Sequence, residues 1–267
     1  MKPTKPNYVD LLNQAISEPG KLLEAYSAFR QYSQQNQLFA LMQLSARDIK
    51  IGPIATYKQW EKKGRQVKKG EKAISLLCPV PCAIKEEKNG EEKLKSFTFF
   101  KVKNYWFSIH QTEGQELAPV ENIPWDKKQA LEALGIQLVD FEMTNGNVQG
   151  YATHDKKIAI NPLAQLPEKT MFHELAHIVL GHTNVNFHDT GAISKDIKEL
   201  EAEATAMLCL ASLGLPGIEY CRGYIQHWYK GDTIPEKSAK AIIQAANTIL
   251  KAGEAKASSA NIESEAE

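Results

Sequence analysis

The chain has 267 residues, of which 43% are hydrophobic, and its 32 basic and 32 acidic side chains give a net charge of zero. This composition is typical of a globular protein with a sizeable core, and it excludes a nucleic-acid binder that acts through overall positive charge. No apolar run approaches the roughly 18 residues that span a bilayer, and no signal peptide is visible. We therefore expect a cytoplasmic protein with no membrane association. Four cysteines without a CxxC pair predict free thiols.

The first part of the chain predicts an α+β unit. Apolar positions recur at helical spacing as far as Met42, with an interruption at Pro19-Gly20, which predicts two or three amphipathic helices. Strand-like runs follow at residues 73–80, 97–103 and 105–110. The pair Asn89-Gly90 predicts a hairpin turn between the first two of these runs. We expect the strands to form a small antiparallel sheet against the leading helices.

A basic segment between the helices and the strands combines charge with aromatic rings. Residues 58–72 hold seven Lys or Arg and two Glu, a local net charge of +5. Basic side chains neutralise phosphates and aromatic rings stack on unpaired bases, so this combination suits sequence-tolerant binding of single-stranded DNA. The residues that we favour for contact are Trp60, Arg65, Lys68, Lys69 and Lys72. Tyr57, Tyr105 and Trp106 are further stacking candidates, and a solvated basic face with core aromatics is the alternative.

The second part of the chain follows a predicted linker at residues 111–124. This linker divides the chain into domains at residues 1–118 and 119–252. A strand pair at residues 148–152 and 157–160 begins the regular structure of the second domain. Residues 253–267 are rich in Ala, Ser and Glu and predict a disordered tail.

A metal-binding pattern lies on the helix predicted after this strand pair. His173, Glu174 and His177 have HExxH spacing, which places both imidazoles on one helix face and the carboxylate beside them. Pro167 suits the start of this helix and Gly181 suits its end. Two histidines and a glutamate within an apolar turn are costly to bury without a partner, so the pattern indicates a metal site.

The third metal ligand is expected from a second helix, predicted at residues 194–213. Glu199 and Glu203 project together into apolar surroundings, whereas Glu201 is predicted to point toward solvent. One of the first two binds the metal and the other orients a ligand histidine. We favour Glu199 as ligand and Glu203 as support, and the reverse assignment stays open. His182 is interpreted as a cleft-edge or surface residue.

These ligands predict peptide hydrolysis. Two imidazoles and one carboxylate suit catalytic Zn²⁺ with an open position, although Mn²⁺, Fe²⁺ and Co²⁺ accept the same donors. Glu174 is the predicted general base, which takes a proton from water and passes it to the leaving amine. An edge strand beside the metal would hold an extended peptide.

Two sets of residues together resemble one known family. Residues 56–60, 64–72 and 107–114 closely resemble the N-terminal signature of ArdC-type antirestriction proteins, which mobile elements carry. The second half is similar to the ImmA/IrrE type of metallopeptidase. Its second-helix pattern E-x-E-A-(N/D)-x-x-A matches Glu199, Glu201, Ala202, Glu203 and Ala206. This match implies Glu199 as ligand, with Glu203 where the pattern has Asn or Asp.

The resemblance implies a single-stranded-DNA-binding domain followed by a minimal zincin-like metallopeptidase domain. Three functions are compatible with this organisation. The first is a DNA-associated zinc metallopeptidase that acts in antirestriction on an unknown protein substrate. The second is an antirestriction module that shields single-stranded DNA and whose metal site is structural or dispensable. The third is a regulatory peptidase that cleaves a repressor.

Overall fold

A computed structural model describes residues 5–88, 91–118, 124–142, 147–184, 193–228 and 234–254. The helices are α1 (Tyr8–Ser17), α2 (Gly20–Phe29), α3 (Gln34–Ser45), α4 (Tyr57–Lys62), α5 (Lys127–Leu134), α6 (Pro167–Val179), α7 (Lys195–Leu213), α8 (Ile218–Trp228) and α9 (Glu236–Ala252). The strands are β1 (Ile54–Thr56), β2 (Arg65–Val67), β3 (Ile74–Lys88), β4 (Glu91–Ser108), β5 (Thr112–Gly114), β6 (Gln137–Val139), β7 (Gly150–Ala152) and β8 (Lys157–Ile160). This mixture of helices and small sheets confirms the predicted α+β class.

The first sheet has the antiparallel order β1-β4-β3. The long pair β3 and β4 runs from Ile74 opposite Trp106 to Lys88 opposite Glu91. The predicted Asn89-Gly90 turn falls between the last pair and lies outside the described residues. The side-chain amides of Asn36 and Gln43 on α3 hydrogen-bond the backbone of β3 at Leu77 and Ser75. Helix α3 thereby covers part of the edge strand.

The strands predicted separately at residues 97–103 and 105–110 are one strand, β4. The register of β4 against β3 shifts between Ile74 and Ser75, whose partners are Trp106 and Asn104. A bulge of this kind absorbs one extra residue without ending the strand. The break expected near residue 104 is therefore wrong.

The start of the predicted linker forms strand β5, which pairs with β2 in a two-stranded ribbon. The 3₁₀ turn Ile109–Gln111 leads directly into β5. Gly114 has a φ of +129°, and a Cβ atom there would collide with the carbonyl oxygen of Gly64. The absence of a side chain at residue 114 allows this close approach, so residues 112–114 belong to the fold.

The second half of the chain is built on a sheet of order β6-β8-β7, in which β6 is parallel and β7 antiparallel to β8. Helix α6 packs against β7 and β8, and α7 packs against α6, α8 and α9. The predicted strand at 157–160 is present with those bounds, and the one predicted at 148–152 spans Gly150–Ala152.

The N-terminal helices share their core with helices from the far end of the chain. Helix α2 packs on α7, while α1 and α3 pack on α9. The backbone N–H of Tyr8 donates to Glu236 at 3.0 Å, and the Gln34 amide donates to the Ser212 hydroxyl at 3.2 Å. The Tyr26 hydroxyl donates to Glu254 at 3.0 Å. The domain boundary near residue 118 stays a prediction, because no gap in packing marks it between these helices.

The predicted tail begins with two residues that contact the body of the protein. Glu254 forms a backbone bridge with Trp125, and the N–H of Asp126 donates to the carbonyl of Gly253 at 2.8 Å. The rest of the predicted tail, residues 255–267, lies outside the described residues. In the part of the chain that the structure describes, no helix is both long and apolar enough to cross a bilayer.

Candidate metal centre

The two helices that carry the predicted ligands begin and end where their sequences indicate. Pro167 is the first residue of α6, and Gly181 follows its end with a φ of +78°. The Ser194 hydroxyl accepts a hydrogen bond from the N–H of Ile197 and caps α7, and left-handed Gly214 ends it. Local sequence signals thus fix where α6 and α7 begin and end, and with that the positions of the predicted ligand side chains.

Three potential donor atoms converge between α6 and α7. His173 Nε2 lies 3.1 Å from His177 Nε2 and 3.3 Å from Glu199 Oε2, and His177 Nε2 lies 3.7 Å from Glu199 Oε2. A triangle of this size contains a point about 2.0 Å from all three atoms, which matches metal bonds to imidazole nitrogen and carboxylate oxygen. Within the described ranges these residues form a cluster that could hold a metal ion.

The electrostatics of this cluster favour a cation. Burial lowers the pKa of His173, but its contacts with Glu199 and Glu203 outweigh burial and raise that pKa to about 9. Contacts with His173 and His177 hold the pKa of the Glu199 carboxyl far below its usual range. Two half-buried imidazoles facing an ionised carboxylate attract a positive charge, either a proton or a metal ion. The donor set therefore fits a divalent metal.

Glu174 lies beside the donor atoms but outside their triangle. It borders a cavity of about 670 Å³ whose lining includes Gly150, Leu166, Thr170, His173 and Tyr220. Burial raises the pKa of the Glu174 carboxyl, and the nearby His173 and His177 partly oppose this shift. A carboxylate with a raised pKa at a cavity wall is suited to proton transfer.

Strand β7 approaches the same cavity very closely at Gly150. A Cβ atom at this position would lie 2.6 Å from Thr170 Cγ2 and 3.3 Å from Glu174 Cγ. Strand β7 is also an outer strand of the described sheet. Because residue 150 has no side chain, the backbone of an edge strand can run directly past Glu174.

Glu203 lies behind His173. Its Oε2 is 3.4 Å from His173 Nδ1, and its Oε1 pairs with Lys169 Nζ at 2.5 Å. Burial raises the pKa of Glu203, but the contacts with His173 and Lys169 reverse this and lower it to about 2. Glu199 thus faces the Nε2 side of His173 and Glu203 faces its Nδ1 side, an arrangement that supports Glu199 as ligand and Glu203 as the orienting carboxylate.

The expectations for His182 and Glu201 are wrong, because both side chains are buried, with exposures of 4% and 3%. The turn at Gly181 brings the N–H of His182 to 2.9 Å from the carbonyl of His177, which folds His182 back under the end of α6. Glu201 is buried because α2, α6, α8 and α9 surround α7 and leave it no solvent side here.

These two residues form a hydrogen-bonded chain that ends at His177, one of the predicted ligands. His177 Nδ1 is 3.0 Å from His182 Nδ1, and His182 Nε2 is 2.9 Å from Glu201 Oε2. Burial lowers the pKa of His182, partly offset by Glu201, so its imidazole is neutral. A neutral imidazole that donates Nε2–H to a carboxylate can only accept at Nδ1. His177 therefore donates its Nδ1–H, which leaves its Nε2 lone pair free for a metal.

We expect Glu201→Gln to weaken metal affinity about 10- to 100-fold, although Glu201 is not a ligand. The glutamine amide can donate to His182 Nε2, which reverses the chain and places a proton on His177 Nε2. Affinity is measured by competition between the protein and a fluorescent zinc chelator. The matched control is Glu219→Gln, whose side chain is 76% exposed. Equal affinities of Glu201→Gln and the control would show that the chain does not orient His177.

The structure removes Trp60 from the predicted DNA contacts. Its side chain is 1% exposed, and its indole N–H donates to the carbonyl of Phe107 at 2.8 Å. Trp60 is the buried residue of the six-residue helix α4 and anchors that helix on β4. A base cannot stack on a ring that is covered on both sides, so the interpretation of Trp60 as a stacking residue is wrong.

The four basic candidates divide into two groups. Arg65 donates to Thr112 Oγ1 at 2.8 Å and to the carbonyl of Thr112 at 3.1 Å, and Lys68 donates to the carbonyl of His110 at 3.1 Å. These two side chains fasten β2 to the β5 region. Lys69 and Lys72 are exposed and remain candidates for phosphate contact.

Two family models match the chain. Residues 13–106 match the N-terminal domain of anti-restriction factor ArdC, and residues 131–212 match a peptidase family model described as the IrrE N-terminal-like domain. The second match includes both helices of the donor cluster. No curated protein matches the chain.

Solved structures of one protein are similar over nearly the whole chain. The metal-free crystal structure of the antirestriction protein ArdC from plasmid R388 has a TM-score of 0.54 and 20% identity, and the match covers 92% of this chain and 94% of that one. The Mn(II)-bound structure of the same protein has a TM-score of 0.50 and 19% identity, and the match covers 93% and 98%. At this identity the likeness shows the fold.

Proposed function

We propose that this chain, which belongs to the ArdC-type antirestriction proteins, is a DNA-associated zinc metallopeptidase of a mobile element that cleaves an unknown protein substrate. In this proposal it binds single-stranded DNA, works in the cytoplasm and protects incoming DNA from restriction. The observation that carries the proposal is the convergence of His173, His177 and Glu199 beside a cavity that Glu174 borders.

The donor set supports a divalent metal, and zinc is our choice among the candidates. Two imidazoles and one carboxylate form the ligand set of many catalytic zinc sites, and the cavity leaves room for water and substrate. A bound ion would supply Lewis-acid activation of water and of a peptide carbonyl. Mn²⁺ accepts the same donors, and the R388 protein contains it in one of its structures.

The remaining steps are assigned to side chains of this protein. Glu174 accepts a proton from the attacking water and delivers it to the leaving amine nitrogen. The chain of Glu201 and His182 keeps His177 in one tautomer, while Glu203 and Lys169 orient His173. The outer edge of β7 offers main-chain groups to an extended peptide, which supports a protein substrate.

A transfer assay in cells tests this function. A plasmid is conjugated into a restricting host and into a restriction-deficient host, and the ratio of transfer frequencies measures protection. We expect the wild-type protein to protect and Glu174→Gln to lose protection while it still binds single-stranded DNA. Glu219→Gln serves as the exposed control and should protect fully. Full protection by Glu174→Gln would reject a peptidase role in antirestriction and favour shielding of the DNA.

A further inference from the structure

The hairpin of β3 and β4 carries aromatic side chains that the described core does not use. Phe97 is 43% exposed and Tyr105 is 55% exposed, and neither belongs to the buried cluster of described residues. Large aromatic rings left in water are costly unless a partner covers them. Their exposure contrasts with that of Trp60, the aromatic residue of the basic segment that is buried.

Lysines alternate with these rings on one face of β4. Residues two apart along a strand share a face, which groups Phe97, Phe99, Lys101 and Lys103. Lys101 Nζ lies 5.2 Å from the centre of the Phe99 ring, and Lys103 Nζ lies 5.8 Å from the centre of the Tyr105 ring. The second contact places Tyr105 on the same side despite the adjacent bulge. We call these five residues the hairpin face.

The charge of the hairpin face is complementary to a polyanion. Residues 73–83 and 96–108, the parts of β3 and β4 beside this face, contain no Asp or Glu, whereas the rest of the hairpin, residues 84–95, holds four Glu and four Lys. The amino groups of Lys101 and Lys103 therefore have no acidic partner on these segments. Alternation of cations with exposed rings is the arrangement by which proteins hold phosphates while bases stack on aromatic side chains.

The basic segment offers less to a base than the hairpin face does. Its tryptophan is buried, and Arg65 and Lys68 are hydrogen-bonded to backbone carbonyl oxygens. Lys69 and Lys72 can attract phosphates but supply no ring. Tyr57, which immediately precedes this segment, is 51% exposed but is a single ring, so a row of stacked bases needs a second surface of the N-terminal half.

We propose that the hairpin face is the surface on which single-stranded DNA lies, with bases stacked on Phe97, Phe99 and Tyr105 and phosphates on Lys101 and Lys103. This inference rests on the proposed function and deepens it, because it assigns the DNA-binding residues. Phe97 and Tyr105 are eight residues apart, a span of about 27 Å at the rise of a strand. Several consecutive nucleotides fit along this length without sequence preference.

Fluorescence anisotropy of a labelled single-stranded oligonucleotide with the full chain tests the stacking. We expect Phe97→Ala and Tyr105→Ala each to weaken binding about tenfold. The matched control is Phe100→Ala, because Phe100 is 58% exposed but alternates to the opposite face, and its affinity should equal that of the wild type. Circular dichroism confirms that each variant is folded. A duplex of the same length should bind more weakly, because its bases are already paired.

The salt dependence of binding tests the phosphate contacts. Lys101→Gln with Lys103→Gln should reduce the slope of log affinity against log salt concentration by about 1.4, or about 0.7 for each phosphate contact with a single strand. The comparison variant is Lys69→Gln with Lys72→Gln. The opposite result would overturn the proposal: a slope reduced by about 1.4 in Lys69→Gln with Lys72→Gln, and unchanged in Lys101→Gln with Lys103→Gln. It would place the DNA on the basic segment.

Two cysteines allow the wild-type protein to be tested without substitution. Cys78 pairs with Lys101 and Cys82 with Phe97 across the hairpin, and paired residues share a face. Saturating single-stranded DNA should slow alkylation of both thiols, with the buried Cys209 and Cys221 as unreactive references. Unchanged alkylation rates at saturation would contradict the proposed surface.

The outcomes separate this inference from the function on which it rests. A wild-type protein that binds no single-stranded DNA overturns both. Wild-type binding that Phe97→Ala and Tyr105→Ala leave intact overturns only the assignment of the surface. A dimer in light scattering that Phe97→Ala dissociates, with DNA affinity unchanged, would assign the hairpin face to a second copy of the chain.

Discussion

Replacing Glu174 by glutamine is expected to lower the rate of peptide hydrolysis by about 10²- to 10⁴-fold. Glutamine keeps the size of the side chain and its place against β7, but its amide cannot accept the proton of water. The expected metal content is unchanged, because Glu174 is not one of the three converging donors. Hydrolysis is measured with fluorescein-labelled casein, with and without single-stranded DNA, and metal content by mass spectrometry.

The control for this experiment is Glu168→Gln. Glu168 is an exposed glutamate in the first turn of the same helix, so its substitution changes the charge of α6 and leaves Glu174 in place. We expect this variant to cleave at the wild-type rate. Equal cleavage by Glu174→Gln and the wild-type protein would place the base elsewhere.

Replacing both His173 and His177 by alanine is expected to abolish the response of the protein to zinc. Zinc at about 1,000 times its dissociation constant adds about 4 kcal/mol to the stability of a protein that binds it only when folded. For a chain of this size that corresponds to a rise in melting temperature of about 10 °C. The double variant keeps only Glu199 of the donor triangle and should show no rise.

Thermal scans of both proteins, with zinc and with a chelator, measure this difference. His154→Ala is the matched control, because His154 is exposed on the loop between β7 and β8, and it should keep the full rise. A rise of equal size in the double variant would mean that zinc binds at another place on the protein.

Much of the candidate site could be predicted from sequence, because its frame depends on local signals. Helix periodicity placed His173 and His177 on one face and put Glu199 and Glu203 together. Pro167, Gly181 and the predicted bounds 194–213 marked helix ends within one or two residues of those found. Each of these signals acts over one or two helical turns, where backbone geometry is nearly fixed.

The buried chain of His182 and Glu201 could not be predicted in the same way. Its existence depends on how many neighbours surround α7, and an amphipathic pattern assumes that one side of a helix faces water. The sequence does contain Gly181, and a glycine at the end of a helix is a signal that the chain changes direction there. What it could not indicate is that the next side chain would reach a carboxylate on another helix.

Trp60 shows the same limit in the N-terminal half. Six residues are too few to reveal the buried face of α4 by periodicity, so charge and aromatic content were the available evidence. Both are equally typical of a binding surface and of a short helix anchored by one large side chain. The register shift near Trp106 could not be predicted either, because a bulge in one strand depends on how the partner strand pairs with it.

Helix α7 carries Glu199 while other side chains of the same helix lie against α2. A fragment that begins after residue 118 would present this apolar surface to water, and the donor carboxylate would lose a rigid support. The half that carries the metal-binding cluster and the N-terminal half are therefore built around one interior. Truncation is therefore a poor test of either proposed activity, and point substitutions in the intact chain are the sounder test.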